Sequence, residues 1–343
     1  MAFSVSSDTG AGPLKAGIIG AGLMGHWHAD AAVHAGASIS AVCDVDADAA
    51  GRLAQRYGAV VSTSLEELLT KARPDVLHIC TPLETHVTLA EEALGAGVHL
   101  LVEKPLTCEV EQTAALLERA LESGLLVCPV HQFVFQDGVR KMLSSLDHLG
   151  RLMHFEATFC SAGGLGRNGA FLDAVVADIL PHPLSLMQAF LPEGCAVDEW
   201  HTVHPRPGEF QAVGVQHGVT VSIRISMNSR PTTTGLRLYG TRGTAHLNLF
   251  HGYGFFEPGH VSRARKVVHP FEQAFRSLTA TTTNMARRVR RWEPAYPGLR
   301  TLVDRFYRAV RHEAPSPLDP EDVLAVARGR EQLIERAGLF SRV

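Results

Sequence analysis

The stretch Lys15-Ala-Gly-Ile-Ile19 runs directly into Gly20-Ala-Gly-Leu-Met-Gly25. A short apolar strand that meets G-x-G-x-x-G, with a helical pattern behind it, is typical of a turn that holds a dinucleotide pyrophosphate. Gly20 permits the tight turn, Gly22 lets the backbone approach a phosphate, and Gly25 allows the helix to pack closely on the strand. This turn therefore predicts a dinucleotide site; a glycine-rich turn without a ligand is the alternative.

Outward from this turn, short apolar runs alternate with helical patterns as far as about Pro129, which predicts a parallel sheet. Longer strands with period-two alternation follow, such as Val219–Ser226. We predict an α/β fold with an N-terminal Rossmann dinucleotide-binding domain at residues 14–131. An α+β domain with a mostly antiparallel open sheet follows at residues 132–343, for substrate binding and oligomerisation. Residues 1–13 are predicted to be a disordered tail.

The composition is that of a globular protein, with 45% hydrophobic and 20% charged residues in a chain of 343. A net charge of −3 gives no bulk reason to expect nucleic acid as a partner. The apolar runs are too short to predict a membrane span, and the N-terminus lacks the pattern of a signal peptide. The six cysteines form no C-x-x-C, so we predict no metal site and a cytoplasmic protein.

Asp44 lies 24 residues after Gly20, at the end of the second predicted strand. An acidic residue there binds the adenine ribose hydroxyls and repels a 2′-phosphate, which favours NAD over NADP. An acidic loop residue without a role is the alternative. The loop from Thr81 to His86 follows a later strand and is expected to border the nicotinamide. A helix cap made by Thr85 is the alternative reading of that loop.

Glu103-Lys104-Pro105 follows the apolar run Val98–Val102. Because ligands collect at the carboxyl ends of the strands in open α/β sheets, Lys104 is expected beside the nicotinamide as a cationic donor. The full set of predicted cofactor contacts is Gly20, Gly22, Leu23, Met24, Gly25, Asp44, Thr81, Pro82, His86 and Glu103. A cofactor and a charged group in one crevice indicate redox chemistry.

These motifs, in this order and at these distances, resemble the glucose–fructose oxidoreductase / inositol dehydrogenase (Gfo/Idh/MocA) family. The resemblance covers roughly Leu14 to Ala337, and it includes the second-domain hairpin Leu238-Tyr-Gly-Thr-Arg-Gly243. It implies an NAD-dependent oxidoreductase acting on a polyol or sugar-type molecule. It also implies a cis Lys104–Pro105 bond and a homodimer or homotetramer that pairs through the second sheet. A sheet face bearing Val221, Ile223 and Ile225 would suit this pairing if it is exposed.

The resemblance implies a further pair, Asp178 and His182, on a helix that faces the nicotinamide. Residues four apart share one helix face, so both side chains would point into one cleft. A histidine is suited to exchange a proton near neutral pH. A solvated aspartate and a packed histidine are the alternative.

The hypothesis for the reaction is that His182 takes the proton of a secondary hydroxyl while the hydride moves to C4 of NAD⁺. Lys104 would bond the same oxygen and stabilise charge as the carbonyl forms, while Glu103 holds Lys104 in place. Asp178 would stabilise the imidazolium or contact the substrate.

Two departures from the family pattern affect the expected substrate. Val134 stands where family members often carry arginine, and Ser185 stands where many carry aspartate. Both changes remove charge from the expected sugar pocket, so a less polar or differently anchored substrate fits the pattern. His131, Arg167 and Asn168 are the candidate replacements for substrate contact.

The basic segment 263–291 carries an irregular amphipathic stripe. A solvated helix at a subunit or domain edge is one interpretation, and a site for a nucleotide-sugar diphosphate or an anionic surface is the other. For the whole chain, two alternatives stand beside the dehydrogenase. One is a redox-neutral enzyme in which transient oxidation drives elimination, as in NAD-dependent glycosidases; the other is a non-catalytic, cofactor-bound regulator.

Overall fold

The computed structural model describes residues 12–164, 166–259, 262 and 265–339. The predicted tail at residues 1–13 lies outside these ranges except for its last two residues.

The first domain is built on a six-stranded, all-parallel sheet in the order β3-β2-β1-β4-β5-β6. Its strands are β1 (Lys15–Ile19), β2 (Ser38–Cys43), β3 (Val60–Ser62), β4 (Val76–Ile79), β5 (His99–Val102) and β6 (Val127–Pro129). Its helices are α1 (Leu23–His34), α2 (Ala47–Tyr57), α3 (Leu65–Ala72), α4 (His86–Gly95) and α5 (Val110–Glu122). This is the doubly wound order whose switch point lies between β1 and β4.

Local signals set most of these boundaries. The Asp46 carboxylate accepts hydrogen bonds from the backbone N–H groups of Asp48 and Ala49 and so begins α2, and Gly58 ends it in a left-handed conformation. Helix α4 begins at His86, directly after the loop that follows β4. The central strands β1, β4 and β5 are almost entirely buried, because helices cover both faces of the sheet.

The second domain holds a seven-stranded sheet in the order β13-β12-β11-β7-β10-β9-β8, in which only β7 and β10 pair in parallel. Its first helices are α6 (Asp137–Leu143), α7 (Gly169–Ile179) and α8 (Pro181–Phe190). Its strands are β7 (Leu152–Cys160), β8 (Trp200–Val203), β9 (Glu209–Gln216), β10 (Val219–Ser226), β11 (Thr233–Gly240), β12 (Gly243–Asn248) and β13 (Tyr253–Pro258). The predicted α/β plus antiparallel α+β architecture is confirmed.

The apolar face of β10 points inward, so Val221, Ile223 and Ile225 do not form the exposed face considered for subunit pairing, and pairing through the second sheet stays a prediction. Val221, Ile223 and Ile225 have no exposed surface. They pack in one core with apolar residues of α7 and α8, such as Val176 and Leu184. The polar residues that alternate with them face the open side of the sheet instead.

Three helices complete the chain: α9 (Arg265–Arg291), α10 (Leu299–Val310) and α11 (Pro320–Ala337). Although α10 follows the second sheet in sequence, Leu302, Phe306 and Tyr307 share a core with β1 and α1 of the first domain. The chain therefore returns to the first domain, which the division at residues 131 and 132 did not include.

One helical stretch of the described chain, Gly169–Phe190, is long and apolar enough to cross a bilayer by length and composition alone. Within its most apolar window of 18 residues, 61% of the residues are buried in the protein. Val176, Leu184 and Met187 of this stretch lie in the core of the second domain. This packing is that of a core helix.

Candidate functional site

The glycine turn between β1 and α1 has the shape of a phosphate cradle. A Cβ at Gly20, where φ is +94°, would lie 2.5 Å from the carbonyl oxygen of Cys80, and a Cβ at Gly25 would lie 1.9 Å from that of Gly20. The protein itself therefore excludes side chains at both positions. A Cβ at Gly22 would meet nothing within 4 Å, so this exposed glycine leaves room in front of the helix N-terminus. That room suits a pyrophosphate on the free N–H groups of α1.

Asp44 lies at the tip of β2 and contacts the glycine turn. Its Oδ2 accepts a hydrogen bond of 2.6 Å from the backbone N–H of Ala21, and its Oδ1 accepts one of 2.9 Å from that of Asp46. The carboxylate thus fixes the turn, and it keeps lone pairs for ribose hydroxyls. Leu23 is exposed at the start of α1, and Met24 behind it is half-buried.

The loop after β4 is held by His86. This side chain is 1% exposed, and its Nε2 lies 3.0 Å from the carbonyl oxygen of Thr81, while its Nδ1 lies 3.0 Å from that of Pro105. Both ring nitrogens therefore lie on backbone carbonyls, and contact of His86 with the cofactor stays a prediction. Thr81 is half-buried, Pro82 is exposed, and Thr85 makes no side-chain cap for α4.

The Glu103-Lys104-Pro105 turn places a lysine between the two domains. The Lys104–Pro105 bond is cis, as expected. Lys104 Nζ donates a hydrogen bond of 3.1 Å to the backbone carbonyl of Asp178. An ammonium carries three donors, so two remain for a ligand. Glu103 is 9% exposed and accepts from the backbone N–H of Lys104, which fixes the turn rather than the ammonium itself.

Pro181 leaves a backbone carbonyl near Asp178 without its helical hydrogen-bond partner. The residue has no N–H, so the helical hydrogen bond to the Ala177 carbonyl is lost, and the expected single helix divides into α7 and α8. Arg330 of α11 donates instead, from Nε to the Ala177 carbonyl at 3.2 Å, and also to the Cys108 carbonyl at 3.0 Å. Burial raises the pKa of the Asp178 carboxyl, against the charges of Lys104 and Arg330.

His182 is the second residue of α8 and has a buried ring, 8% exposed. Its Nδ1 is fully buried and has no hydrogen-bond partner within the described chain. The ring packs on Phe133, with 4.4 Å between ring centroids. Burial, together with the charge of nearby Lys104, holds the pKa of His182 well below its usual value. The imidazole is therefore neutral at physiological pH, as a proton acceptor requires.

His182 lines a cavity of about 850 Å³. Most of its lining is apolar or aromatic, with Phe133 and Phe250 on one side. Residues of α9 and the following segment form the other side: Met285, Arg288, Val289, Trp292, Glu293, Pro294, Ala295, Tyr296 and Pro297. A cavity of this size holds a small organic ligand with a large apolar contact surface.

A buried chain of polar groups supports Glu103, and sequence reasoning missed it. His28 Nε2 lies 3.1 Å from Glu103 Oε1, His28 Nδ1 lies 2.9 Å from His78 Nδ1, and His78 Nε2 lies 2.7 Å from the Tyr307 hydroxyl. Burial opposes ionisation of Glu103, but the hydrogen bond from His28 and the nearby Lys104 still hold its pKa below the usual value. The chain therefore keeps a carboxylate next to Lys104.

The three candidate substrate residues lie outside the cavity lining. His131 is 4% exposed and borders a small void beside Pro181 and Arg330 instead. Asn168 caps α7, since its Oδ1 accepts from the backbone N–H of Phe171 at 2.8 Å, and Arg167 stacks its guanidinium on the Phe171 ring. Both stand at the opposite end of α7 from Asp178, about 15 Å along the helix. The structure thus gives these three residues packing and capping contacts, and their contact with a substrate stays a prediction.

The two departures from the family pattern have local explanations. Ser185 is buried, and its hydroxyl donates to the backbone carbonyl of His182 at 2.9 Å. Val134 packs against the two neighbouring apolar cores. The aromatic neighbour Phe133, which the sequence analysis did not select, contacts His182. A search of the described residues for groups of three or more metal-ligating side chains found none.

The buried histidines predict acid sensitivity. Burial lowers the pKa of His78 and His182 well below the usual value, and it lowers that of His131 to about 4. Above a pH of about 6.5 these three histidines are neutral in both the folded and the unfolded chain. Below it they take up protons only in the unfolded chain. The free energy of unfolding should therefore fall by on the order of 1 kcal/mol per histidine and pH unit as the pH drops from 6.5 towards 4.

Urea unfolding at several pH values between 7 and 5 measures this slope. The His131→Gln variant should show a smaller slope than wild type, because one of the titrating groups is gone. The exposed His201 supplies the matched control, since His201→Gln leaves the buried rings unchanged. A free energy of unfolding that stays level or rises on acidification over this range would contradict the assignment of neutral buried rings.

Comparison with known proteins gives a family for the first domain. Residues 14–131 match the family model described as oxidoreductase family, NAD-binding Rossmann fold. The UDP-N-acetylglucosamine 3-dehydrogenase of Acidithiobacillus ferrooxidans is 36% identical over 120 residues, which cover 34% of this chain and 37% of that protein. Inositol 2-dehydrogenase 4 of Saccharopolyspora erythraea is 32% identical over 158 residues, 45% of this chain and 43% of that protein.

The similarity in sequence thus spans less than half the length of these curated relatives. In three dimensions the similarity extends further. A solved structure of the Acidithiobacillus ferrooxidans UDP-N-acetylglucosamine 3-dehydrogenase superimposes with a TM-score of 0.73 over 96% of this chain and 99% of that chain, at 20% identity. Both domains therefore share the fold of that enzyme.

Proposed function

Residues 14–131 belong to the oxidoreductase family with an NAD-binding Rossmann fold (Gfo/Idh/MocA), and from this premise we propose that the protein is an NAD-dependent dehydrogenase. Its proposed substrate is a secondary alcohol of a sugar, a cyclitol or a sugar derivative. The observation that carries this proposal is a buried His182 on the cavity lining, whose pKa is held low by burial and by the nearby charge of Lys104.

The residues of the first domain fit the cofactor. The open space at Gly22 and the free N–H groups of α1 would receive the pyrophosphate, and Asp44 would bind the adenine ribose. Thr81 and Lys104 follow the ends of β4 and β5, where ligands collect in open α/β sheets, and we expect the nicotinamide there. Bound NAD⁺ supplies the acceptor for the hydride that leaves the alcohol carbon.

The chain's own residues supply the proton chemistry. Neutral His182 accepts the hydroxyl proton, because its low pKa keeps the ring unprotonated before reaction. Lys104 donates a hydrogen bond to the same oxygen and stabilises its growing negative charge. The Asp178 carbonyl and the Glu103 turn hold Lys104 in place. The flanking Phe133 ring excludes water from one side of His182.

The cavity supports a substrate that is only partly polar. Near His182 and Lys104 the site offers a proton acceptor and a cationic donor, which suit a ring hydroxyl. Farther out, the cavity is lined by side chains such as Phe250, Val289 and Trp292, with Arg288 as a cation. We therefore propose a sugar or cyclitol that carries an apolar or planar group. The relatives named above act on a nucleotide sugar and on inositol by their names, which is consistent with the polar half.

Asp44 is expected to set the preference for NAD over NADP. The carboxylate repels a 2′-phosphate by roughly 1–4 kcal/mol at a few ångströms. We expect Asp44→Asn to lower the ratio of kcat/KM for NAD⁺ over NADP⁺ by at least about tenfold. Asparagine retains one acceptor oxygen for the backbone of the glycine turn. NADH and NADPH formation with one substrate measures the ratio.

Asp48, in the first turn of α2, provides the matched control. Asp48→Asn removes a neighbouring charge of the same sign but should leave the ratio close to that of wild type. Equal use of both cofactors by wild type, or an unchanged ratio in Asp44→Asn, would be incompatible with the proposed role of Asp44.

A further inference from the structure

Helix α9 packs on the protein through its polar side. His269 pairs with Glu257 of β13, with 2.6 Å between Nε2 and Oε1, and Gln273 donates to the same carboxylate at 3.2 Å. Asn284 is 7% exposed and donates from Nδ2 to the His251 carbonyl at 2.9 Å. The side of the helix that faces its own protein is thus held mainly by hydrogen bonds and ion pairs.

The opposite side of α9 is apolar and faces solvent. Its members, here called the α9 stripe, recur at intervals of three, four or seven residues and are 46–82% exposed. They are Val268, Phe271, Phe275, Leu278, Met285, Val289 and Trp292. The stripe runs about 36 Å along the helix axis. This arrangement is the reverse of an ordinary surface helix, whose apolar face packs on the core.

The charge of α9 indicates what covers this stripe. Between Arg265 and Arg291 the sequence holds seven arginines or lysines and one glutamate, whereas the whole chain has a net charge of −3. Arg287 and Arg291 pair with Asp137 of α6. A long amphipathic helix with Phe, Leu and Trp on one face and an excess of basic residues is typical of proteins that lie on an anionic bilayer.

We propose that α9 docks the protein on the surface of an anionic lipid bilayer, with the α9 stripe buried in the interface. The helix lies in the plane of the membrane, and the protein remains peripheral. The same spacing of apolar residues occurs where two helices pair, but a second copy would bring another strongly basic helix against this one. An anionic surface instead attracts it.

The position of the candidate site supports this orientation. Met285, Val289 and Trp292 belong to the α9 stripe and also line the cavity that contains His182. The apolar wall of the cavity is therefore continuous with the docking surface, and docking would bring the mouth of the cavity to the bilayer. This goes beyond the proposed redox function, which does not require a membrane.

Vesicle binding tests the proposal directly. Full-length protein is mixed with sedimentable vesicles of phosphatidylglycerol and phosphatidylcholine in equal parts, or of phosphatidylcholine alone. We expect sedimentation with the anionic vesicles, at least about fivefold weaker binding to the neutral ones, and release by salt. Of the three tryptophans, Trp292 is 82% exposed and Trp200 is 3% exposed. A blue shift of fluorescence on binding that Trp292→Phe abolishes would locate the contact at the stripe.

Two variants separate docking from folding and from redox function. Phe271→Ser combined with Leu278→Ser should weaken vesicle binding by at least about tenfold, because the change removes one aromatic and one aliphatic side chain from the interface. Neither residue lines the cavity with His182. The matched control is Leu121→Ser, which removes a similarly exposed leucine from α5 and should bind vesicles like wild type. NAD binding by all three proteins reports whether the fold and the cofactor site are intact.

Three results would overturn the proposal. One is no sedimentation of wild type with anionic vesicles at low salt; another is equal binding to both kinds of vesicle. The third is an oligomer in analytical ultracentrifugation that the double variant dissociates, together with unchanged vesicle binding, which would assign the stripe to a second copy of the chain. Loss of NADH formation alone would count against the redox function and leave docking unaffected.

Discussion

Replacing Lys104 with methionine is expected to lower kcat by about 10²- to 10³-fold, as removal of one charge-stabilising donor does in other enzymes. Methionine retains the length of the apolar stem but cannot donate to the alcohol oxygen or to the Asp178 carbonyl. The KM for NAD⁺ should change little, because Lys104 acts at the reacting oxygen. Steady-state kinetics with saturating NAD⁺ measures both quantities.

The loss of the Lys104 charge should also shift the pH profile of the remaining activity. Lys104 contributes to the low pKa of His182. Without that charge the pKa of His182 rises, so the acid limb of kcat/KM moves to higher pH. Lys71 pairs with Glu67 on the surface of α3, so Lys71→Met is the matched control and should retain wild-type kinetics. If Lys104→Met turns over within about threefold of wild type, the proposed role of Lys104 is wrong.

Replacing His182 with asparagine is expected to lower kcat by about 10²- to 10⁴-fold, the range typical for loss of a general base. Asparagine is polar and smaller than histidine, but it cannot take up the hydroxyl proton. The wild-type profile of kcat/KM should have its acid limb below pH of about 6.5, because burial and Lys104 both disfavour the protonated ring. In His182→Asn this limb should disappear.

Thermal unfolding must accompany these kinetics, since His182 packs on Phe133. The exposed His201 supplies the control variant His201→Asn, which should match wild type in kinetics and in Tm. A His182→Asn protein that folds normally and keeps an acid limb at the wild-type position would show that another residue accepts the proton.

The first domain was largely predictable because local sequence determines it. Buried parallel strands appear as short apolar runs, and Gly20 and Gly25 stand where the backbone leaves no room for a side chain. Asp46 and Gly58 begin and end α2 by local capping. In β10 the period-two pattern predicted the strand but gave no sign of which face is buried, because that depends on helices elsewhere in the chain.

The candidate site was predictable only in part, because its supporting contacts join distant residues. The spacing of Asp178 and His182 predicted one helix face, but Pro181 divides the helix. The Ala177 carbonyl accepts instead from Arg330, which lies 153 residues after it in sequence. The His78 and Tyr307 pair spans 229 residues. A histidine within an apolar run is predicted to be a core residue, and nearby sequence does not identify its hydrogen-bond partner. Asn168, by contrast, has a local partner that sequence could indicate: a polar residue before a helix is often a cap, and Asn168 caps α7.

The central claim is that Lys104 and His182 catalyse NAD-dependent oxidation of a sugar-type alcohol. The most direct measurement is NADH formation, followed by absorbance, from NAD⁺ and a panel of cyclitols, sugars, nucleotide sugars and glycosides with apolar aglycones. We expect substrate-dependent NADH formation by wild type, concentrated among sugar derivatives with an apolar or planar group, and its loss in His182→Asn. No NADH from any member of the panel, with NAD bound tightly and recovered unchanged after denaturation, would contradict net oxidation and favour redox-neutral turnover.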